Sequence, residues 1–213
     1  MRRLIGIVGA SFLGVSAAIA QTEVATFAQN GMQALTSGGT SHTYGYEFTV
    51  GASPITVTGL ADYVGSVPVS SSTADIGLWN SSGTLLASAI ITTGNSKETA
   101  DDLFYTLPVS VNLQPGATYY VGSFVLLNAG GGQGSEYLKA LNGSIGSAFS
   151  DITVNSAATA NSSTLTDPTL LVGGGTSGYS FGANIMVPDA GSSLLLLSMG
   201  LTGLAAFGRK KLR

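Results

Sequence analysis

The sequence has no cysteine in its 213 residues. Without thiols there is neither a disulfide framework nor a thiolate metal centre, so the folded part must be stable through its core alone. Histidine occurs once, at His42. That count excludes a His-rich transition-metal site and a Cys-His nucleophile. A Ser-His-Asp triad would have to recruit this one imidazole. The simpler reading of His42 is a solvated residue just before a strand.

Charge is equally scarce, at 9% of the residues, and its placement is uneven. Arg2, Arg3, Arg209, Lys210, Lys211 and Arg213 stand at the two ends, leaving only Lys97 and Lys139 between them. The intervening region carries Glu23, Glu47, Asp62, Asp75, Glu98, Asp101, Asp102, Glu136, Asp151 and Asp167, and is therefore acidic. Nucleic acid and anionic lipid surfaces are poor partners for such a body. Abundant Gly, Ser, Thr and Asn suit a solvated extracellular surface instead.

The two basic ends flank apolar runs. At the N-terminus Arg2-Arg3 precedes the apolar stretch Leu4 to Val15, and Ala18-Ile19-Ala20 precedes Gln21. This order of charged, apolar and small-residue regions predicts a helical signal peptide over 1–20, cleaved between Ala20 and Gln21. At the C-terminus Val187-Pro188-Asp189-Ala190-Gly191-Ser192-Ser193 leads into an uncharged run from Leu194 to Phe207 and then a basic tail over 209–213. As a helix, the run with its two preceding serines is roughly 24 Å long. That falls short of the ~30 Å hydrocarbon core, which a span with snorkelling cationic flanks tolerates. The same cations hold the tail on the cytoplasmic side, so the passenger faces away from the cytoplasm.

A short Pro-Asp motif, an apolar span and an Arg/Lys tail, in that order, resemble the PEP-CTERM class of C-terminal sorting signals. The closest variant begins Val-Pro-Asp-Ser-Gly, matched by Val187, Pro188, Asp189 and Gly191, with Ala190 where that pattern has Ser. The resemblance implies an exosortase as processing partner and a transient helical hold on the inner membrane. It further implies cleavage near the motif and delivery to the outer surface and its polysaccharide.

Between the ends, the sequence predicts strands and turns. Tyr44, Tyr46, Phe48 and Val50 alternate with Gly45, Glu47 and Thr49, a period of two. Ile55 to Thr58 repeats the pattern, and Gly59 marks a bend before Leu60 to Val64. Asp75 to Trp79 and Thr84 to Ile91 form a hairpin about Asn80-Ser81-Ser82-Gly83. Val109 to Leu113 turns at Gln114-Pro115-Gly116 into a strand from Thr118 to Leu127. Glu136 to Leu141 reads as one helical turn, and Asp151 to Thr169 as a long surface connection with one short strand. A last strand from Tyr179 runs into Val187.

These signals predict an all-β fold over 44–187, an antiparallel β-sandwich or jelly roll, preceded by a leader or edge strand over 21–43 and flanked by the two terminal helices. The pieces Tyr46 to Val50, Ile76 to Ala87 and Leu113 to Val121 are also similar to an uncharacterised sandwich domain of bacterial surface proteins. That resemblance implies fold and context and carries no site.

No catalytic set, cofactor site or metal site is assigned. Glu98, Asp101 and Asp102 cluster beside Lys97 without EF-hand spacing and read as a solvated acidic loop. Trp79 lies opposite in phase to Ile76 and Leu78, so one of these two sets faces outward; an exposed Trp79 would be a candidate carbohydrate contact. The expected function is that of an exported, non-catalytic surface or matrix protein processed by an exosortase. Beside it stand a carbohydrate-binding module using exposed aromatics and a polysaccharide-cleaving enzyme that uses a carboxylate pair.

Overall fold

Alternation and turn chemistry shape the body into sheet. A computed structural model describes residues 21–27, 32–34, 42–63, 74–91, 97–98, 103–106, 109–125, 137–139, 145–147, 149–171 and 182–188. All of these belong to the unit Gln21–Pro188; the predicted signal peptide and the apolar tail lie outside the described residues.

In chain order the strands are β1 (Gln21–Glu23), β2 (Ala25–Phe27), β3 (Met32–Ala34), β4 (His42–Val50), β5 (Ile55–Val57), β6 (Gly59–Tyr63), β7 (Ala74–Asn80), β8 (Leu85–Ile91) and β9 (Lys97–Glu98). They continue with β10 (Leu103–Thr106), β11 (Val111–Leu113), β12 (Thr118–Val125), β13 (Tyr137–Lys139), β14 (Ile145–Ser147), β15 (Ile152–Asn161), β16 (Leu170–Leu171) and β17 (Ala183–Pro188). Among the described residues there is no helix, and the strand pairings are antiparallel.

The larger sheet has the order β16-β15-β4-β12-β7-β8, and a five-stranded sheet has the order β1-β17-β6-β10-β9. Their inner residues share one core. Tyr46 and Phe48 of β4, Ile76 and Leu78 of β7 and Val121 of β12 cluster with Leu60 of β6 and with Ile185 and Val187 of β17. Each large apolar side chain buried in this way contributes about 1.5–3 kcal/mol.

Two turns follow their sequences. Gly83 takes φ 79°, closing the β7–β8 hairpin, while the Asn80 side-chain oxygen accepts hydrogen bonds from the Ser82 and Thr84 amides at 3.1 and 2.9 Å. Gly116 takes φ 69° after Pro115, and the Ala117 amide donates to the Gln114 carbonyl at 3.3 Å, as the Pro-Gly pair of a type II turn requires.

Two expectations are corrected. The stretch read as a surface connection contains the ten-residue strand β15, paired with β4 from Val50 to His42. A register shift between Val154 and Ser156 reverses its alternation there, and the buried residues beyond the shift, Ser156, Ala157 and Ala158, are small. Its apolar signal is therefore faint and out of phase. Tyr137–Lys139, read as helical, is β13 paired with β3.

Candidate functional site

The last strand of the body carries the start of the tail motif. β17 is Ala183-Asn184-Ile185-Met186-Val187-Pro188; its first five residues are buried and Pro188 is half-buried. It lies between β1 and β6. β6 pairs with Ala183 to Met186, whereas β1 pairs with Met186 to Pro188, in the register Gln21 opposite Pro188, Thr22 opposite Val187 and Glu23 opposite Met186. The ladder is extended by the Val24 amide, which donates to the Ile185 carbonyl at 3.1 Å. Antiparallel ladders alternate bonded and non-bonded pairs. The alternation then puts Gln21 and Pro188 at a non-bonded pair, where a residue without an N–H is tolerated.

Asn184 fixes the N-terminal segment to this strand. Its Nδ2 donates to the Ala25 carbonyl at 2.8 Å, and its Oδ1 accepts from the Ala25 amide at 3.0 Å, so the amide acts as one more peptide unit in a ladder. Oδ1 also accepts from the Tyr46 hydroxyl at 3.1 Å. Burial pushes the Tyr46 phenol well above its ordinary range, and the charge of Glu23 adds to this, which keeps the hydroxyl a donor. Thr58, between β5 and β6, ties β17 to β1: its amide donates to the Met186 carbonyl at 2.8 Å, and its hydroxyl reaches that carbonyl at 3.2 Å and Gln21 Oε1.

The sequence from Met186 onward decides what this strand leads into. Residues 186–211 match the model of the VPDSG-CTERM motif. The tail is a PEP-CTERM-like sorting signal. No curated protein matches the chain. A VPDSG-CTERM motif implies processing by an exosortase, a transient association with the membrane, and export through it to the cell surface.

Within the VPDSG-CTERM motif, Val187 and Pro188 belong to β17, while Asp189, Ala190 and Gly191 lie outside the described residues. Of the residues about the expected signal cleavage, Ala18 and Ala20 also lie outside, and Gln21 is the first residue of β1. The fold therefore pairs the start of the VPDSG-CTERM motif with the residue that follows the expected signal peptide. Sequence reading missed this pairing, and its one visible trace was Asn184, a lone amide in an otherwise apolar strand.

The remaining candidates lie on the larger sheet. Trp79 does project from the face opposite Ile76 and Leu78, yet it is only 4% exposed. Its ring lies across Gly77, with Cζ3 2.9 Å from where a Cβ would stand. Gly77, Gly122 and Gly45 are in register across β7, β12 and β4, forming a shallow row. The segment before β16 returns over this face: Pro168 Cγ is 3.0 Å from a Cβ position at Gly122, and the Thr166 amide donates to Thr43 Oγ1 at 3.1 Å. Of the two sets of opposite phase, Trp79 is the one on the outer face, and its ring is buried there.

On the same face the Tyr120 hydroxyl donates to Glu47 Oε2 at 2.7 Å, and Asn155 Nδ2 donates to Glu47 Oε1 at 2.9 Å and to Thr49 Oγ1 at 2.8 Å. Burial first, then the bond to Glu47 and the charges of Glu47 and Asp167, push the Tyr120 phenol up to about 12. Both Glu47 oxygens are engaged, so this carboxylate holds strands together.

His42 is the first residue of β4 and half-buried, stacked obliquely on Tyr44 with ring centroids 5.2 Å apart, so it is part of the sheet and not a solvated leader residue. Its Nδ1 is buried with no hydrogen-bond partner among the described residues. Lys97 and Glu98 form the edge strand β9, while Asp101 and Asp102 lie outside the described residues.

Proposed function

We propose that the chain is an exported, non-catalytic β-sandwich protein, released from the inner membrane by an exosortase and serving in the cell envelope or its polysaccharide matrix. The observation that carries the reading is the register of Gln21 with Pro188 beneath a VPDSG-CTERM motif. Antiparallel pairing of the first and last strands brings the two ends of the body, each next to a membrane-directed segment in the sequence, to neighbouring positions. The terminal cations add the same orientation at both ends, Arg2 and Arg3 before the first apolar run and Arg209 to Arg213 after the second. The low-charge, acidic and Ser/Thr/Asn-rich composition of the body supports a hydrated matrix setting.

Deleting residues 189–213 in the producing bacterium tests the reading. Fractionation is expected to show the truncated protein exported but lost from the membrane intermediate and from the surface-associated pool. An unchanged distribution between membrane, surface and medium would contradict it.

A further inference from the structure

β1 and β17 hold one another, and this determines which peptide bonds of the tail are open to an enzyme. Pairing from β6 stops at Met186, opposite Gly59, while β1 continues to Pro188. Val187 and Pro188, the first residues of the Val-Pro-Asp pattern, therefore take their strand pairing from β1. Thr58 closes the arrangement from the other side through its bonds to Met186 and Gln21. Enzymes that read an extended peptide pair with its backbone much as an added strand does. A segment whose backbone is already paired and whose side chains are buried, as from Ala183 to Val187, is not open to that mode.

We propose that β1 is a latch on the sorting motif. It shields the peptide bonds through Val187–Pro188, so that an exosortase cuts only beyond them. The mature protein then ends at or beyond Pro188, with Gln21 paired to that end. The inference rests on the sorting reading above and adds to it where the cut falls. In the step itself one peptide C–N bond breaks; the carbonyl carbon takes the oxygen of water or of an acceptor hydroxyl, or the nitrogen of an acceptor amine, and the leaving amine takes the displaced proton. A cut beyond Pro188 leaves the described pairs from Gln21–Pro188 to Glu23–Met186 in place, and the stub stays seated in the sheet.

The test is the C-terminal peptide of the protein recovered from the surface of the producing cells, read by mass spectrometry, for the full wild-type chain and for Thr22→Pro. The substitution removes the N–H opposite Val187. Wild-type termini are expected at Pro188 or between Asp189 and Ser193, and Thr22→Pro is expected to add termini within Ala183 to Val187. Hydrogen exchange at β4 and β12 shows whether the variant keeps its core. If it does not, Thr58→Val, which removes only the hydroxyl tie, is expected to show the same upstream shift. Wild-type termini upstream of Pro188, or folded variants cut as the wild type is, would overturn the latch. A wild-type tail left uncut overturns the sorting reading itself, a result distinct from a misplaced cut.

Discussion

The Trp79 ring occupies the space that a side chain at Gly77 would need, two residues earlier on the same strand face. The chain's one tryptophan is thus a reporter of the outer face of the larger sheet. Gly77→Ala forces the indole aside, and overpacking of this kind costs about 1–3 kcal/mol. The expected result is a lower urea midpoint together with red-shifted, more quenchable tryptophan emission. The native protein, with Trp79 covered, is expected to show no change in emission on adding polysaccharide; a saturable change would restore the carbohydrate-contact reading.

Asn184→Ala is expected to be far more damaging than its small size implies. It leaves the Ala25 amide and carbonyl and the Tyr46 hydroxyl without the partner each has in a buried site. Each buried group stranded in this way costs about 1–3 kcal/mol. Denaturant unfolding should show a reduced midpoint, and amide exchange should accelerate first at Val24 and Ala25. Exchange unchanged at those two residues would show that the amide does not hold the N-terminal segment.

Tyr120 gives the fold an alkaline limit. Its pKa is raised from 10.0 to about 12, so above the ordinary value the folded chain keeps a proton that the unfolded chain releases. Stability contributed by the protonated phenol is complete below pH 10 and declines as pH rises through about 12. Tyr120→Phe lacks the titrating group, and its stability should fall less steeply across that window. Buried Tyr46, shifted in the same direction, leaves a residual slope in both proteins. Equal slopes in variant and wild type would contradict the assignment to Tyr120.

Much of the fold is legible where its causes are local. β4 follows from strict alternation, and the β7–β8 and β11–β12 connections follow from Asn80, Gly83, Pro115 and Gly116, whose backbone preferences act within a few residues. β15 is hidden because the shift near Asn155 breaks its period and Ala157 and Ala158 add little hydrophobic signal. The phase of Trp79 was readable, but its burial was not, and the return of Pro168 over Gly122 on the same face comes from a segment beyond β15. For the same reason the tail motif could be recognised as a linear pattern, while its seat against Gln21 depends on pairing between opposite ends of the body.

The most direct measurement is the intact mass of the protein recovered from the cell surface. The recovered protein is expected to begin at Gln21 and to lack the apolar run from Leu194 to Phe207. Recovery of surface protein with that run still attached would contradict it.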